Sequence, residues 1–252
     1  MKFILSLKNF LKNNSVTSPF YNFARDVKNL PREIHSSIQR KYYKSVNQKY
    51  FESSAEILKQ YKNRYAGERC FIIGNGPSLK AEDLDKIKNE ISFASNRIYV
   101  IFDKTEWRPK FYVCQDYRMI LLSASEISKV EAELKIIPIF EFCKRPEIHN
   151  AIFTRMQNSE KFIKRHELPD FSDDITNCTY EGMTVTYANI QIAVYMGFKE
   201  IYLLGVDHSY SISRNIDGTI TKNDNVQDYF SKDYKEGQQF SVKGGGVKSS
   251  AN

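Results

Sequence analysis

The chain has 252 residues, of which 41% are hydrophobic and 13% aromatic, and a formal net charge of +7. That length suffices for one sizeable core, and the aromatic content argues against disorder over most of the chain. No apolar run approaches the ~18 residues of a membrane-spanning helix, so none is expected. The charge is uneven. Residues 1–50 hold ten Lys/Arg against Asp26 and Glu33, a local +8 that leaves −1 for the rest. The basic balance therefore belongs to an N-terminal arm and does not imply a nucleic-acid-binding domain.

Within the arm, Phe3, Ile4, Leu7, Phe10 and Leu11 fall on one face of a helix, with Lys2, Lys8 and Lys12 mostly elsewhere. The segment from Met1 to Leu11 lacks a following small-residue cleavage site and does not read as a secretory signal. Such a helix suits an anionic inner membrane surface. It equally suits packing on the domain or on a second subunit of a homo-oligomer. Ser53 to Tyr65 reads as a helix leading into Cys70-Phe71-Ile72-Ile73, a short apolar run typical of a strand buried on both faces. Gly74-Asn75-Gly76-Pro77-Ser78-Leu79 follows, and Leu79, Leu84 and Ile87 then recur at helical spacing. Strand, glycine turn and helix in that order favour a phosphate at the N–H groups of the helix start, with Pro77 in the first turn. The third glycine of the dinucleotide fingerprint and the Gly-Lys-Ser/Thr of a P-loop are absent. A tight connection without a ligand is the alternative reading.

Further strands are expected at Ile91–Ser95, ending in Asn96, and at Phe111–Cys114, ending in Gln115-Asp116. Ile120–Leu134 reads as a helix and Lys135–Phe140 as a fourth strand. Residues 145–181 are polar and read as an insertion or lid, with a short helix from Ile148. Thr184–Met196 reads as a helix capped by Gly197, and Ile201–Leu204 as a fifth buried strand ending in Gly205-Val206-Asp207. This alternation predicts an α/β fold, a Rossmann-like doubly wound, mostly parallel sheet whose ligands bind beyond the carboxyl ends of the strands. Cys70, Cys114, Cys143 and Cys178 show no Cys-x-x-Cys spacing and read as free thiols, mostly buried, which suits a cytoplasmic protein. The expected organisation is a basic arm at 1–50, a nucleotide-binding domain at 51–240 and a flexible glycine-rich end at 241–252, the domain being either truncated or a natural variant.

The turn Gly74–Leu79, Asn96 after Phe93-Ala94-Ser95, Gly182-Met183-Thr184-Val185-Thr186, and Gly197 through Asp207 together resemble one superfamily. It holds the 6-hydroxymethylpterin diphosphokinase MptE-like domains and the bacterial family 42 sialyltransferases. The resemblance covers roughly residues 66–240. It implies a nucleotide site at Gly74, Asn75, Gly76, Ser78, Asn96, Thr184 and Gly205. It also implies magnesium on Asp116 and Asp207 if the chemistry is that of the diphosphokinase. The sialyltransferases carry a His base and paired tyrosines in a lid. Here the corresponding stretch offers Tyr229 and Tyr234 but no His, and His208 directly after Asp207 is the candidate base.

Three functions follow as expectations. The first is a glycosyltransferase using a CMP-linked, sialic-acid-like donor and a glycan acceptor, without a cofactor. The second is a pterin diphosphokinase using ATP and Mg2+. The third is a non-catalytic nucleotide-binding domain. The basic arm tilts the reading toward the first, placed on the inner membrane face, because acceptors for surface glycans sit at membranes.

Overall fold

The computed structural model describes residues 18–140, 143–158, 168–207, 211–214, 219–222 and 227–235. The expected amphipathic stripe at Phe3–Leu11, residue His208 and the end at 241–252 lie outside them. The chain divides into two compact units, residues 1–48 with 140–144, and 49–139 with 145–252. In the first, helix α1 (Ser18–Lys59) supplies Asn47. Its Nδ2 donates to the carbonyls of Phe140 at 2.8 Å and Cys143 at 3.0 Å.

The second unit is built on a six-stranded sheet. Its strands are β1 (Arg69–Ile73), β2 (Ser92–Ser95), β3 (Phe111–Val113), β4 (Leu134–Pro138), β5 (Ala151–Thr154) and β8 (Glu200–Leu204). They lie in the order β5-β4-β3-β2-β1-β8, and every neighbouring pair is parallel. From β1 the chain winds outward to β5 and then returns to place β8 on the other side of β1. The strand order thus reverses at β1, the position beyond whose carboxyl ends sheets of this kind bind ligands. Helix α2 (Ala81–Lys86) and the 3₁₀ turn η1 (Ile98–Ile101) follow β1 and β2. Helices α3 (Tyr117–Leu122) and α4 (Ala124–Lys129) join β3 to β4. Short strands β6 (Met156–Gln157) and β7 (Thr179–Tyr180) pair in parallel, and α5 (Val185–Tyr195) runs back down the sheet into β8. Strands β9 (Ile212–Arg214) and β10 (Ile220–Lys222) form a hairpin, and the 3₁₀ turn η2 (Lys232–Lys235) is the last described element.

Alternation along the strands assigns each side chain to one face of the sheet, and the central strands are buried on both. Cys70, Ile72, Phe93, Phe111 and Val113 form one cluster with Leu58, Tyr61, Ile192 and Met196. Aromatic contacts lock it, with the Tyr65 and Phe198 rings stacked at 4.9 Å and Phe93 and Phe111 at 4.7 Å. Each such large apolar side chain contributes about 1.5–3 kcal/mol by leaving water. Trp107, fully buried, spends its indole N–H on Ser92 Oγ at 3.1 Å. All four cysteines are free, and three are buried.

Three expectations need correction. The single helix over Ile120–Leu134 is instead α3 and α4, broken at Ser123. The chain leaves helical geometry at Val130 (ψ 123°), and Leu134 pairs with Phe111 instead. The stretch 145–181 is not a featureless insertion with a helix from Ile148. Buried Ile152 and Phe153 form β5, because β4 offers its second edge as a partner. Finally, β8 is not buried on both faces. Among the described residues it is the edge strand with β1 as its pairing partner, and Tyr202 and Leu203 are about half exposed, at 45% and 50%.

Candidate functional site

The turn after β1 is held tightly by the turn after β8. Gly74 N–H donates to the Leu204 carbonyl and Gly76 N–H to the Gly205 carbonyl, both at 2.8 Å. A Cβ on Gly74 would lie 2.2 Å from the Gly205 carbonyl oxygen, and one on Gly76 would lie 2.0 Å from Asp207 Oδ2. The two glycines are therefore required by the neighbouring backbone and carboxylate, independently of any ligand. The expected helix start at Pro77 is displaced. Leu79 N–H turns back to the Gly76 carbonyl, Ser78 N–H is taken by Asp207 Oδ2 at 3.0 Å, and α2 begins at Ala81 with only six residues. The N–H groups of Gly74, Gly76, Ser78 and Leu79 are thus all committed within the protein.

The carboxamides beside the turn are in the opposite condition. Asn75 Nδ2 donates to the Ser95 carbonyl at 3.1 Å, which fixes the amide and leaves its buried Oδ1 with no partner. Asn96 sits in left-handed backbone (φ 55°), its carbonyl accepting from Tyr112 Oη at 2.6 Å, and its buried Oδ1 also has no partner. Gln115 Nε2 after β3 and Tyr99 Oη in η1 complete a set of buried polar atoms without hydrogen bonds. Buried polar atoms in folded proteins are overwhelmingly paired, and each one left unpaired costs about 1–3 kcal/mol. Four at the ends of three adjacent strands mark where a polar ligand or ordered water belongs. Beneath them Cys114 is fully buried, and burial pushes its thiol up to about 12, so it stays protonated and is no nucleophile.

The remaining candidates have defined places. Asp116 caps α3, accepting from Met119 N–H at 2.9 Å. Like Asp207, it spends one oxygen on the backbone and keeps the other outside these bonds. No group of three His, Cys, Asp or Glu side chains that would hold a metal occurs among the described residues. Thr184 is the N-cap of α5, its Oγ1 accepting from Thr186 N–H at 3.3 Å. Before it, Met183 takes positive φ (63°), a conformation that costs a non-glycine residue about 1–3 kcal/mol. Because α5 runs antiparallel to β8, its N-terminus opens at the same end of the sheet as the carboxamides. Tyr229 and Tyr234 stack ring on ring at 4.0 Å. Their segment docks on the site: Phe230 N–H donates to the Asn75 carbonyl at 3.1 Å. Tyr234 is almost wholly buried, and burial raises its phenol well above the usual range.

Gln115 was visible in the sequence as part of a strand end, but Arg97, Tyr99 and Phe230 were not singled out. Arg97 Nη1 donates to the Tyr234 carbonyl, and its guanidinium lies 5.9 Å from the Tyr234 ring centroid. Its position directly after Asn96 at a strand end was the available signal.

A parallel sheet whose order reverses at β1, with unpaired carboxamides beyond its carboxyl ends, defines a Rossmann-like domain of the doubly wound class. More narrowly, the chain belongs to the 6-hydroxymethylpterin diphosphokinase MptE-like family, whose model matches residues 41–213. A search of curated proteins gave no match. The activity in the family's name, a diphosphokinase, is that of a transferase.

Proposed function

We propose that the domain binds a nucleotide at the carboxyl ends of β1, β2 and β3 and transfers the group the nucleotide activates. The observation that carries this reading is the set of unpartnered buried atoms, Asn75 Oδ1, Asn96 Oδ1, Gln115 Nε2 and Tyr99 Oη. Two acceptors and a donor at fixed positions suit the edge of an amino-bearing heterocycle or a ribose. The N-terminus of α5, capped by Thr184, supports an anion at the same end of the sheet.

The preferred reaction is glycosyl transfer from a CMP-linked, sialic-acid-like donor to a glycan hydroxyl. The hydroxyl loses its proton to a base, for which His208 beside Asp207 is the candidate. The new C–O bond forms at the anomeric carbon as the bond to the phosphate oxygen breaks, and the nucleotide leaves with the electron pair. The basic, amphipathic arm supports a place at an anionic membrane surface. No described helix is long and apolar enough to cross a membrane.

The family description supports a second reading, a pterin diphosphokinase. There Asp116 and Asp207 would hold magnesium through their second oxygens, and the metal would supply charge for diphosphate transfer. A thermal-shift panel of CMP, CDP, UDP, ATP and GTP, with magnesium or with EDTA, separates the readings. A shift by CMP in EDTA supports glycosyl transfer. A shift confined to ATP with magnesium supports the diphosphokinase, and no shift with any nucleotide refutes both.

A further inference from the structure

We infer that Arg97 is the residue that takes the ligand's phosphate, and that the segment 229–235 holds it in reserve. The inference rests on the nucleotide reading above and adds to it where the anion goes. A phosphate beyond these strands needs donors or positive charge. In the glycine turn the N–H groups of Gly74, Gly76, Ser78 and Leu79 are spent inside the protein. A phosphate brought to Ser78 would also face the Asp207 carboxylate, a like charge at the very N–H it would seek.

Arg97 meets the requirement from the other side of the carboxamides. It follows Asn96 directly, and a guanidinium offers two parallel N–H groups matched to phosphate oxygens. In the structure Tyr234 engages it. Nη1 donates to the Tyr234 carbonyl, the guanidinium lies by the Tyr234 ring, and the Arg97 backbone N–H points to Tyr234 Oη at 3.5 Å. The same segment reaches the other flank of the site through Phe230 N–H and the Asn75 carbonyl. One short segment therefore bridges the β1 and β2 turns on either side of the unpaired amides. A neutral carbonyl is a weaker partner for a guanidinium than a phosphate, so an arriving phosphate displaces Tyr234, and segment 229–235 releases as the anion binds.

The test uses the full chain with cytidine, CDP and inorganic pyrophosphate, read by calorimetric titration and by amide hydrogen exchange. In the unmutated protein CDP and pyrophosphate should raise exchange at Phe230 and Tyr234, whereas cytidine, which lacks phosphate, should not. Arg97→Gln should weaken CDP about ten- to a hundredfold, the range of a charge-assisted hydrogen bond, and leave cytidine within about twofold. Arg97→Lys should recover part of the loss. Protection of 229–235 by CDP overturns the release, and unaltered CDP affinity in Arg97→Gln overturns the role of Arg97. Binding of neither cytidine nor CDP nor pyrophosphate to the unmutated protein overturns the glycosyl-transfer reading and this inference together. The exchange measurement needs no variant, so it decides the release even if Arg97→Gln fails to fold, and CDP affinity of Arg97→Lys, expected below that of the unmutated protein, then tests Arg97, unaltered affinity overturning its role.

Discussion

Gly74→Ala should be among the more damaging single-methyl additions in the domain. A Cβ there meets the Gly205 carbonyl oxygen at 2.2 Å and the carbonyl carbon at 2.8 Å. Since 3.0 Å is about the closest real approach, the β1 and β8 turns must separate by about 0.8 Å. Both atoms are backbone, so no side chain can rotate away. Separation stretches the bonds from Gly74 N–H to Leu204 and from Gly76 N–H to Gly205, each 2.8 Å and each worth about 1 kcal/mol. Overpacking adds about 1–3 kcal/mol. The expected loss is about 2–4 kcal/mol, a fall in Tm of roughly 4–16 °C for a domain of this size. Gly76→Ala is the internal control. Its worst contact, 2.0 Å, is with Asp207 Oδ2 at the end of an exposed side chain that can swing out, and its backbone contact, Gly205 O at 2.8 Å, needs relief of only about 0.2 Å. It should cost about 1–2 kcal/mol, at the lower end of overpacking. Urea denaturation followed by circular dichroism measures both. Equal stability of Gly74→Ala and the unmutated protein, or a smaller loss than for Gly76→Ala, would refute the steric account.

Gly76→Val should abolish nucleotide binding with little change in the dichroism spectrum, because it displaces Asp207 and the adjoining Asn75; normal binding would remove the turn from the site. Lys135, almost fully buried in β4, donates to the carbonyls of Ser128 at 2.6 Å and His149 at 3.1 Å, and burial lowers its pKa. The unfolded chain thus holds this proton more tightly than the folded one, so stability rises with pH between the folded-state pKa and the ordinary lysine value near ~10.4. Urea midpoints should climb with pH over that window in the unmutated protein relative to Lys135→Met, and parallel profiles would contradict the assignment. Deletion of residues 1–50 should abolish salt-sensitive co-sedimentation with anionic vesicles while leaving nucleotide binding intact. Indifference of the full chain to such vesicles at low salt would make the arm structural.

Where local pattern and tertiary partner agreed, the sequence was readable. The apolar run Cys70–Ile73, the α5 helix with Thr184 as its cap and Gly197 (φ 90°) at its end, and the strand ends at Asn96 and Asp116 all follow from spacing and turn chemistry. Residues whose state is set by a distant partner were not readable. Ile152-Phe153 becomes a strand because β4 has an unpaired edge, and Glu131–Leu134 forsakes helix because Leu134 meets Phe111. At the site, Gly74 and Gly76 read as a phosphate turn, and the structure adds that their small size serves contact with Gly205 and Asp207. Asp116 and Asp207, expected as metal ligands only if the chemistry is that of the diphosphokinase, each engage a backbone N–H through one oxygen, which the sequence did not show. Which amide oxygens lack partners, and that Arg97 lies under Tyr234, are matters of burial and side-chain direction that no one-dimensional pattern encodes.

The most direct test of a nucleotide held by the strand-end carboxamides is a calorimetric titration of CMP into the unmutated protein and into an Asn75→Ala/Asn96→Ala double variant. Two hydrogen bonds at about 0.5–1.5 kcal/mol each predict a five- to hundredfold weaker Kd in the double variant, with its fold unchanged by circular dichroism. Equal affinity of the two proteins for CMP would contradict the account.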